Sequence, residues 1–323
     1  MKHWVAKKLI CPDCLPEEIP LELFSRQEAS DDIIEGELKC PACGRGYPIR
    51  NRIARVRPQK APWIQSANSG KNGYNAPLML SAYLWSHFGD LLEDARATDA
   101  YRIWSNSFQP TRGDALDIGC AVGRLCLELS KNHDRVIGVD TSAAFIAKAK
   151  EIICRRELDF DLIVEGHLTQ KHHLKFKKGW HFDNVDFIVA DALSLPFRRH
   201  DFASVAAINI LEKVPEPLRH LAEVNRVLRP EQSMFLFSDP FSWDEAFSAP
   251  ERWLGGGNNG SSPYSKRGID TMRRLFAGEF GVFDPPLEIA SQGDVFWKIR
   301  KTENLWEHIT SQFLLGCRRI NSG

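Results

Sequence analysis

In Ala115-Leu-Asp-Ile-Gly-Cys-Ala-Val-Gly123 a short apolar run leads directly into a turn of small residues. Residues 124–131 follow with partly helical spacing of leucines, so the segment predicts a strand, a loop and a helix. Gly119 and Gly123 let the backbone turn sharply and approach a ligand, and the helix N-terminus offers free N–H groups. Dinucleotide enzymes use this geometry with a G-x-G-x-x-G spelling, so the loop alone does not identify the ligand.

Further apolar runs follow, and polar residues stand at their carboxyl ends. The next predicted strand ends in Asp140, at the spacing where a carboxylate can take both ribose hydroxyls of a nucleotide. Asp140 can also cap the helix that begins near Ser142, and the two roles are compatible. Later strands are predicted at residues 185–190, 202–209 and 233–238, with the last strands within 294–317. This order predicts an α/β fold, a Rossmann-like seven-stranded doubly wound sheet, with its ligand beyond the strand ends.

The glycine loop resembles motif I of class I S-adenosylmethionine-dependent methyltransferases, in which the loop wraps the amino-acid end of the cofactor. The resemblance implies S-adenosylmethionine as cofactor, a carboxylate on the ribose after the second strand, and an acid with a backbone N–H on the adenine after the third. The residues carried over as cofactor-binding are Asp117, Gly119, Cys120, Ala121, Gly123, Asp140, Thr141, Asp191, Ala192 and Asn209.

The N-terminal part of the chain carries two C-x-x-C turns. Each turn presents two thiolates, and two such turns form a tetrahedral all-cysteine site that suits structural Zn²⁺. The predicted ligands are Cys11, Cys14, Cys40 and Cys43. A redox C-x-x-C pair or a ribbon that has lost its metal are the alternatives. The remaining four of the eight cysteines are scattered, which predicts free thiols.

Residues 38–50 resemble small zinc-ribbon proteins related to the activator subunit of certain tRNA and protein methyltransferases. The resemblance implies a helper module fused to its client, although the family's Asp-Gly-Ile-Pro is replaced here by Asn51-Arg-Ile-Ala54. Residues 45–60 are rich in arginine and contain no acid, so they predict either a surface for RNA or an acidic partner, or a solvated strand and linker.

A narrower resemblance links residues 74–300 to the C-terminal methyltransferase domain of ovothiol biosynthesis, through segments such as 80–89, 165–169, 207–217 and 250–256. It implies methylation of a thiohistidine-like imidazole, although the sulfoxide-synthase half is absent. The candidates for substrate positioning are Tyr83, His87, Asn209 and Trp243. The aromatic, glycine-rich segment at about 240–268 predicts a lid over the site.

Three regions are therefore predicted: a zinc ribbon at 1–60, a linker and helical cap at 61–105, and the methyltransferase domain at 106–323. Residues 162–181 are predicted to be an inserted, solvated loop, rich in lysine and histidine after residue 170. A net charge of zero gives no global attraction to nucleic acid or membrane, and the absence of long apolar runs predicts a cytoplasmic protein without a membrane partner.

The predicted function is methylation of a small-molecule heteroatom. The alternatives are methylation of RNA or protein with the ribbon as a docking module, and a non-catalytic cofactor-binding scaffold. The intact acids Asp140 and Asp191 argue against the scaffold.

Overall fold

A computed structural model describes residues 1–59, 76–92, 94–109, 111–176, 179–257, 264 and 266–319. Lys60 and the first part of the predicted linker, residues 61–75, lie outside the described residues. The same holds for Lys177 and Lys178 of the predicted loop and for residues 258–263 and 265 of the predicted lid.

Thirteen strands and seven α-helices are found among the described residues. The strands are β1 Glu22–Ala29, β2 Asp32–Lys39, β3 Gly46–Arg50, β4 Ile53–Val56, β5 Ala115–Ile118, β6 Val136–Asp140, β7 Glu157–Glu165, β8 Leu168–Lys175, β9 Val185–Ala190, β10 Ser204–Ile208, β11 Ser233–Asp239, β12 Glu288–Arg300 and β13 Trp306–Arg318. The helices are α1 His3–Ala6, α2 Pro77–Phe88, α3 Ala100–Ser107, α4 Arg124–Leu129, α5 Ala143–Arg155, α6 Pro217–Val227 and α7 Gly268–Phe276.

The predicted seven-stranded sheet is confirmed, with the order β9-β6-β5-β10-β11-β13-β12. Its first five strands are parallel, and β13 pairs antiparallel with both β11 and β12. The parallel strands are almost wholly buried apolar runs, as expected for a sheet covered on both faces by helices. Four of their carboxyl ends therefore meet at one edge, where the predicted polar residues lie.

The four strands of the ribbon extend this sheet, so the ribbon is not a separate structural unit. Strands β1 to β4 form an antiparallel meander, and β4 pairs in parallel with β9 through Arg55 opposite Val189 and Val56 opposite Ala190. The result is one sheet of eleven strands. Leu9 and Tyr47 of the ribbon belong to the same buried apolar cluster as Phe197 of the large domain, so the two modules share a core.

Helices α2 and α3, the cap, lie mostly within the region predicted as a linker and helical cap. Arg124 on α4 donates to both carboxylate oxygens of Asp90, at 2.7 and 2.9 Å, and to the carbonyl oxygen of His87 at 2.8 Å. The guanidinium is almost completely buried, so this is a fixed charged anchor and not a solvated surface pair. It joins the end of α2 to the helix that follows the glycine loop.

The loop prediction for residues 162–181 is wrong for most of its length, because strands β7 and β8 form an antiparallel hairpin there. Leu158, Phe160 and Leu162 alternate with polar residues and point to the buried side, a period-two pattern typical of a half-buried strand. The lysines and histidines of β8 lie mainly on the exposed side. None of the helices in the described part of the chain has the length and apolar character needed to cross a bilayer.

Candidate active site

A cavity of about 330 Å³ opens at the carboxyl ends of β5, β6, β9 and β10. Eleven of the predicted site residues line it: Tyr83, His87, Asp117, Gly119, Cys120, Ala121, Asp140, Thr141, Asp191, Ala192 and Asn209. Sequence positions from 83 to 209 are thus brought to one place by the parallel order of the strands. The volume is within the range of small-ligand pockets.

The glycine loop forms one wall of the cavity. Gly119 has a φ of +77°, and a Cβ at this position would lie 3.0 Å from Ile210 Cδ1, so the position favours glycine on both counts. Gly123 has a φ of +85°, and a Cβ at this position would lie only 2.5 Å from the Phe187 ring, so both observations favour glycine. Gly123 is therefore needed for the packing of α4 against β9, and it is not among the residues that line the cavity.

Asp140 closes the loop from the tip of β6. Its Oδ2 accepts the N–H of Ala121 at 3.0 Å, and its Oδ1 accepts the N–H of Ser142 at 2.8 Å. Burial raises the pKa of this carboxyl, while the backbone N–H groups oppose that rise. Ser142, in turn, accepts the N–H of Phe145 and caps α5, so the capping role expected of Asp140 is shared between the two residues.

Asp191 shapes the next turn, directly after β9. Its Oδ1 accepts the N–H of Leu193 at 2.9 Å, and its carbonyl oxygen accepts the N–H of Ser194 at 3.1 Å. These bonds hold a tight turn whose residues Asp191, Ala192 and Leu193 face the cavity. The carboxylate has acceptor sites beyond the one that Leu193 uses.

The cap contributes a cluster of aromatic side chains at the other end of the cavity. His87 Nε2 lies 2.6 Å from Tyr101 Oη, and His87 Nδ1 is buried without a hydrogen-bond partner among the described residues. Burial, together with the nearby charge of Arg124, holds the pKa of His87 well below its usual value, so the imidazole is neutral. Tyr83 and Trp297 complete this aromatic end.

The prediction for Trp243 is not supported by its position. Its ring stacks on Trp253 with centroids 6.1 Å apart and an angle of 15°, and it packs against the shared core, away from the lining residues. The chain turns aside after β11, where Phe241 takes a φ of +54° and its N–H bonds Asp239 Oδ1. This local turn carries the aromatic segment past the cavity.

The described residues of the segment predicted as a lid border the cavity without lining it. Phe247 lies under the ammonium of Lys213 at 4.7 Å, and Arg252 donates to the carbonyl oxygen of Pro215 at 3.3 Å. Lys213 and Pro215 both line the cavity, so the segment contacts its wall from outside. Closure over the site stays a prediction.

The lining residues that were not predicted as site residues include the charged or aromatic side chains of Arg57, Tyr101, Lys213 and Trp297. Tyr101 lies in the cap and Trp297 on β12, far along the chain from any motif. Arg57 belongs to the arginine-rich stretch, where its position immediately after the last ribbon strand was the only available signal.

Comparison with known proteins agrees with this geometry. Residues 116–236 match the family described as "Methyltransferase domain". The chain carries a methyltransferase domain. Its fold, its order of strands and its motif I are those of class I enzymes, whose cofactor is S-adenosylmethionine. Residues 7–51 match the family described as "Trm112p-like protein", which agrees with the predicted zinc ribbon.

Individual relatives are distant. The chain is 26% identical over 151 residues to ubiquinone/menaquinone biosynthesis C-methyltransferase UbiE of Rickettsia typhi, a match covering 44% of this chain and 52% of that protein. The chain thus spans about half the length of the curated relatives it matches. A solved SAM-dependent methyltransferase of Methanosarcina mazei is 21% identical, with a TM-score of 0.43 over 69% of this chain and 100% of that one. A chain from the complex between the Haloferax volcanii Trm112 methyltransferase activator and a methyltransferase is 14% identical, with a TM-score of 0.44 over 74% and 97%.

The N-terminal ribbon has the geometry of a zinc site. Cys11 Sγ lies 3.7 Å from Cys43 Sγ, and Cys14 Sγ lies 3.7 Å from Cys40 Sγ. The four sulfur atoms all lie within 4.8 Å of one another. A tetrahedron with Zn–S distances of about 2.3 Å has S···S edges of about 3.8 Å, so the four thiols fit Zn²⁺. Four sulfur ligands complete the coordination shell, which makes the site structural.

Asp117 lies beneath the glycine loop of the methyltransferase domain, and the pKa of its carboxyl is the most strongly shifted among the acids of this loop. The pKa of its carboxyl is raised to about 7, chiefly by burial. The hydrogen bond from the Cys126 thiol, whose Sγ lies 3.3 Å from Asp117 Oδ2, lowers this pKa, whereas the nearby Asp140 carboxylate raises it. The carboxyl is therefore largely protonated below about pH 7 and ionised above it. Since this folded-state pKa exceeds that of the unfolded chain, ionisation costs stability as the pH rises through about 7.

We expect the affinity for S-adenosylmethionine to rise as the pH increases from about 6 to about 8, by up to about tenfold, because ionised Asp117 attracts the cofactor's ammonium and sulfonium charges. Calorimetric titration across this range measures the effect. In Asp117→Asn the rise should disappear. A wild-type affinity that does not change with pH would contradict the prediction.

Proposed function

We propose that the chain transfers a methyl group from S-adenosylmethionine to a heteroatom of a small-molecule acceptor. One observation carries the proposal: Gly119, Asp140 and Asp191, at the tips of three adjacent parallel strands, line one cavity. A glycine turn and two acids in this arrangement match the amino-acid, ribose and adenine parts of a nucleoside sulfonium. The match to a methyltransferase domain covers residues 116–236, and the proposal assigns methyl transfer to the whole chain.

In this proposal, different predicted residues bind the ribose, the adenine and the amino-acid part of the cofactor. Asp140 accepts from the ribose hydroxyls, because each carboxylate oxygen still has an acceptor site beside its backbone N–H bond. Asp191 accepts from the adenine amino group, and the backbone N–H of Ala192 bonds the ring. The amino-acid end is held by the glycine loop and its neighbours: Asp117, Gly119, Cys120, Ala121, Thr141 and Asn209. Asn209 Oδ1 is buried without a partner among the described residues.

The cofactor supplies, when bound, an activated methyl group. The chain therefore has to align the acceptor atom and keep water out, and a neutral imidazole nitrogen needs no dedicated base. In the tautomer in which the Tyr101 hydroxyl donates to His87 Nε2, the neutral imidazole carries its proton on Nδ1, the ring nitrogen without a partner among the described residues. His87 and Tyr83 are accordingly proposed to position the acceptor.

The aromatic end of the cavity favours a small, flat acceptor. Tyr83, Tyr101 and Trp297 surround it with ring surfaces, and Trp297 is only 6% exposed. A thiohistidine-like imidazole, which the resemblance to the ovothiol enzymes implies, has this shape and polarity.

RNA or protein as the acceptor is the second candidate, because the ribbon is similar to Trm112p-like proteins. Three of the five arginines at residues 45–57, however, form ion pairs within the ribbon itself. The ion pairs are Arg45 with Asp13 at 3.4 Å, Arg50 with Glu35 at 3.1 Å and Arg52 with Asp32 at 3.7 Å. Paired arginines have less positive charge to offer a phosphate backbone, which supports the small-molecule acceptor.

The acceptor is tested by incubating the purified chain with labelled S-adenosylmethionine and a panel of thiohistidines, imidazoles and thiols, beside bulk tRNA and protein. We expect label in a thiohistidine or imidazole product and none in macromolecules. Salt-sensitive labelling of tRNA would replace the first candidate with the second. Cofactor binding without transfer to any member of the panel would support the non-catalytic scaffold.

A further inference from the structure

The first zinc-binding turn of the ribbon contacts the turn that follows β9. Between Cys11 and Cys14, the carbonyl oxygen of Pro12 accepts a buried hydrogen bond from Ser194 Oγ at 3.0 Å. The N–H of Ser194 bonds the carbonyl oxygen of Asp191 at 3.1 Å. Two hydrogen bonds in series therefore link the zinc turn to the turn that presents Asp191.

The same zinc turn also holds the chain that leaves the ribbon. Asp13 Oδ1 accepts the N–H of Gln59 at 2.9 Å, and Asp13 Oδ2 accepts from Tyr47 Oη at 2.8 Å. The Gln59 amide oxygen is bonded by Arg45 at 2.7 Å. The Asp13 side chain is 5% exposed. These hydrogen bonds fix the path of the chain just beyond β4.

Arg57 stands between these two restraints. It follows Val56, whose partner across the parallel pair is Ala190, so it emerges beside Asp191 and lines the cavity. Arg57 is half-buried, and no carboxylate of the described residues lies within 4.0 Å of its guanidinium. An arginine that faces a ligand cavity without an ion pair is available to the ligand.

We propose that Arg57 binds the adenosine part of the cofactor and that the Cys11–Cys14 turn positions it together with Asp191. The inference rests on the proposed function. A guanidinium stacks on an aromatic ring face and donates hydrogen bonds in its plane, and adenine offers both a ring face and ring-nitrogen acceptors. The ribbon thus completes the cofactor site as well as extending the sheet.

Adenosine is common to the cofactor and to its demethylated product, S-adenosylhomocysteine. Interactions with adenosine are equally strong before and during methyl transfer, so they set affinity and not the rate of the chemical step. Loss of Arg57 should therefore raise the KM for S-adenosylmethionine and leave kcat unchanged. A residue that only stabilises the fold would not separate the two constants in this way.

The test is calorimetric titration of S-adenosylhomocysteine into the zinc-loaded full chain and three variants. Arg57→Ala should weaken binding by about fivefold to thirtyfold. Ser194→Ala, which breaks the link to Pro12 without touching a zinc ligand, should weaken it by about twofold to tenfold. Arg55→Ala is the matched control: it removes the same charge from the exposed side of β4, two residues before Arg57, and should bind like the wild type. Zinc content and the thermal midpoint are measured for each variant.

Wild-type affinity in Arg57→Ala would overturn the inference, as would an equal loss in Arg55→Ala or a fall in kcat with KM unchanged. These results are distinct from failure of the proposed function, in which the wild-type chain would itself not bind S-adenosylhomocysteine. Unchanged affinity in Ser194→Ala, with zinc retained, would overturn the part of the inference that assigns a positioning role to the zinc turn.

Discussion

Asp140→Ala should lower the affinity for S-adenosylmethionine by about tenfold to a hundredfold. A hydrogen bond to a charged group contributes about 1.5–3 kcal/mol, and the proposed bonds from the ribose to this carboxylate are of that kind. The substitution also removes the acceptor for the N–H groups of Ala121 and Ser142, which shape the glycine loop and the start of α5. Both effects act in the same direction. The measurement is calorimetric titration with the cofactor.

Asp183→Ala is the control for this experiment. Asp183 lies in the same domain but is 82% exposed and pairs with Arg156 at the surface, so its loss should leave cofactor affinity unchanged. If Asp140→Ala bound the cofactor as tightly as the wild type, the cavity described above would not be the cofactor site. Equal losses in the two variants would indicate a general fault of folding.

Cys40→Ser should destabilise the whole chain. Structural zinc contributes about 10–16 kcal/mol of apparent binding free energy in small zinc peptides. A loss of only about 5 kcal/mol in the free energy of unfolding would lower the thermal midpoint of this chain by at least about 10 °C. The effect should spread beyond the ribbon, because β4 pairs with β9 and the ribbon's apolar residues share the core of the large domain. Thermal unfolding, with zinc content measured by mass spectrometry, tests this expectation.

Cys154→Ser provides the comparison, since Cys154 is an exposed thiol on α5 outside the metal cluster. It should retain about one zinc per chain and the wild-type midpoint. The expectation for Cys40→Ser fails if that variant loses zinc and unfolds at the wild-type temperature. Such a result would mean that the ribbon is not needed for the stability of the methyltransferase domain.

The features that the sequence predicted correctly are local ones. A glycine turn after an apolar strand, an acid at the end of the next strand and cysteines two apart each express their chemistry within a few residues. Parallel strands with both faces covered also leave a clear trace, because nearly all of their residues are apolar. The order of these signals along the chain was enough for the seven-stranded sheet and for eleven residues of the cavity.

The errors have physical causes as well. The alternation of Leu158, Phe160 and Leu162 is a strand pattern. The lysines and histidines of β8 are typical of a solvated loop, so the sequence analysis predicted a loop where the hairpin forms. Trp243 was predicted as a site residue because it follows β11 in sequence. The chain turns at Phe241, which has a positive φ, and beyond this turn Trp243 stacks on Trp253. Local composition does not encode the direction of a turn of this kind.

By itself the sequence predicted the seven-stranded sheet, the position of the glycine loop and the four thiols that can hold a metal. Only the tertiary structure decided that the ribbon joins the sheet at β9, that its zinc turn bonds Ser194 and that Arg57 reaches the cavity. The reason is that an edge strand pairs through backbone groups, which every residue carries. The choice of partner depends on shape and burial across the whole molecule, and neighbours in sequence do not reveal it.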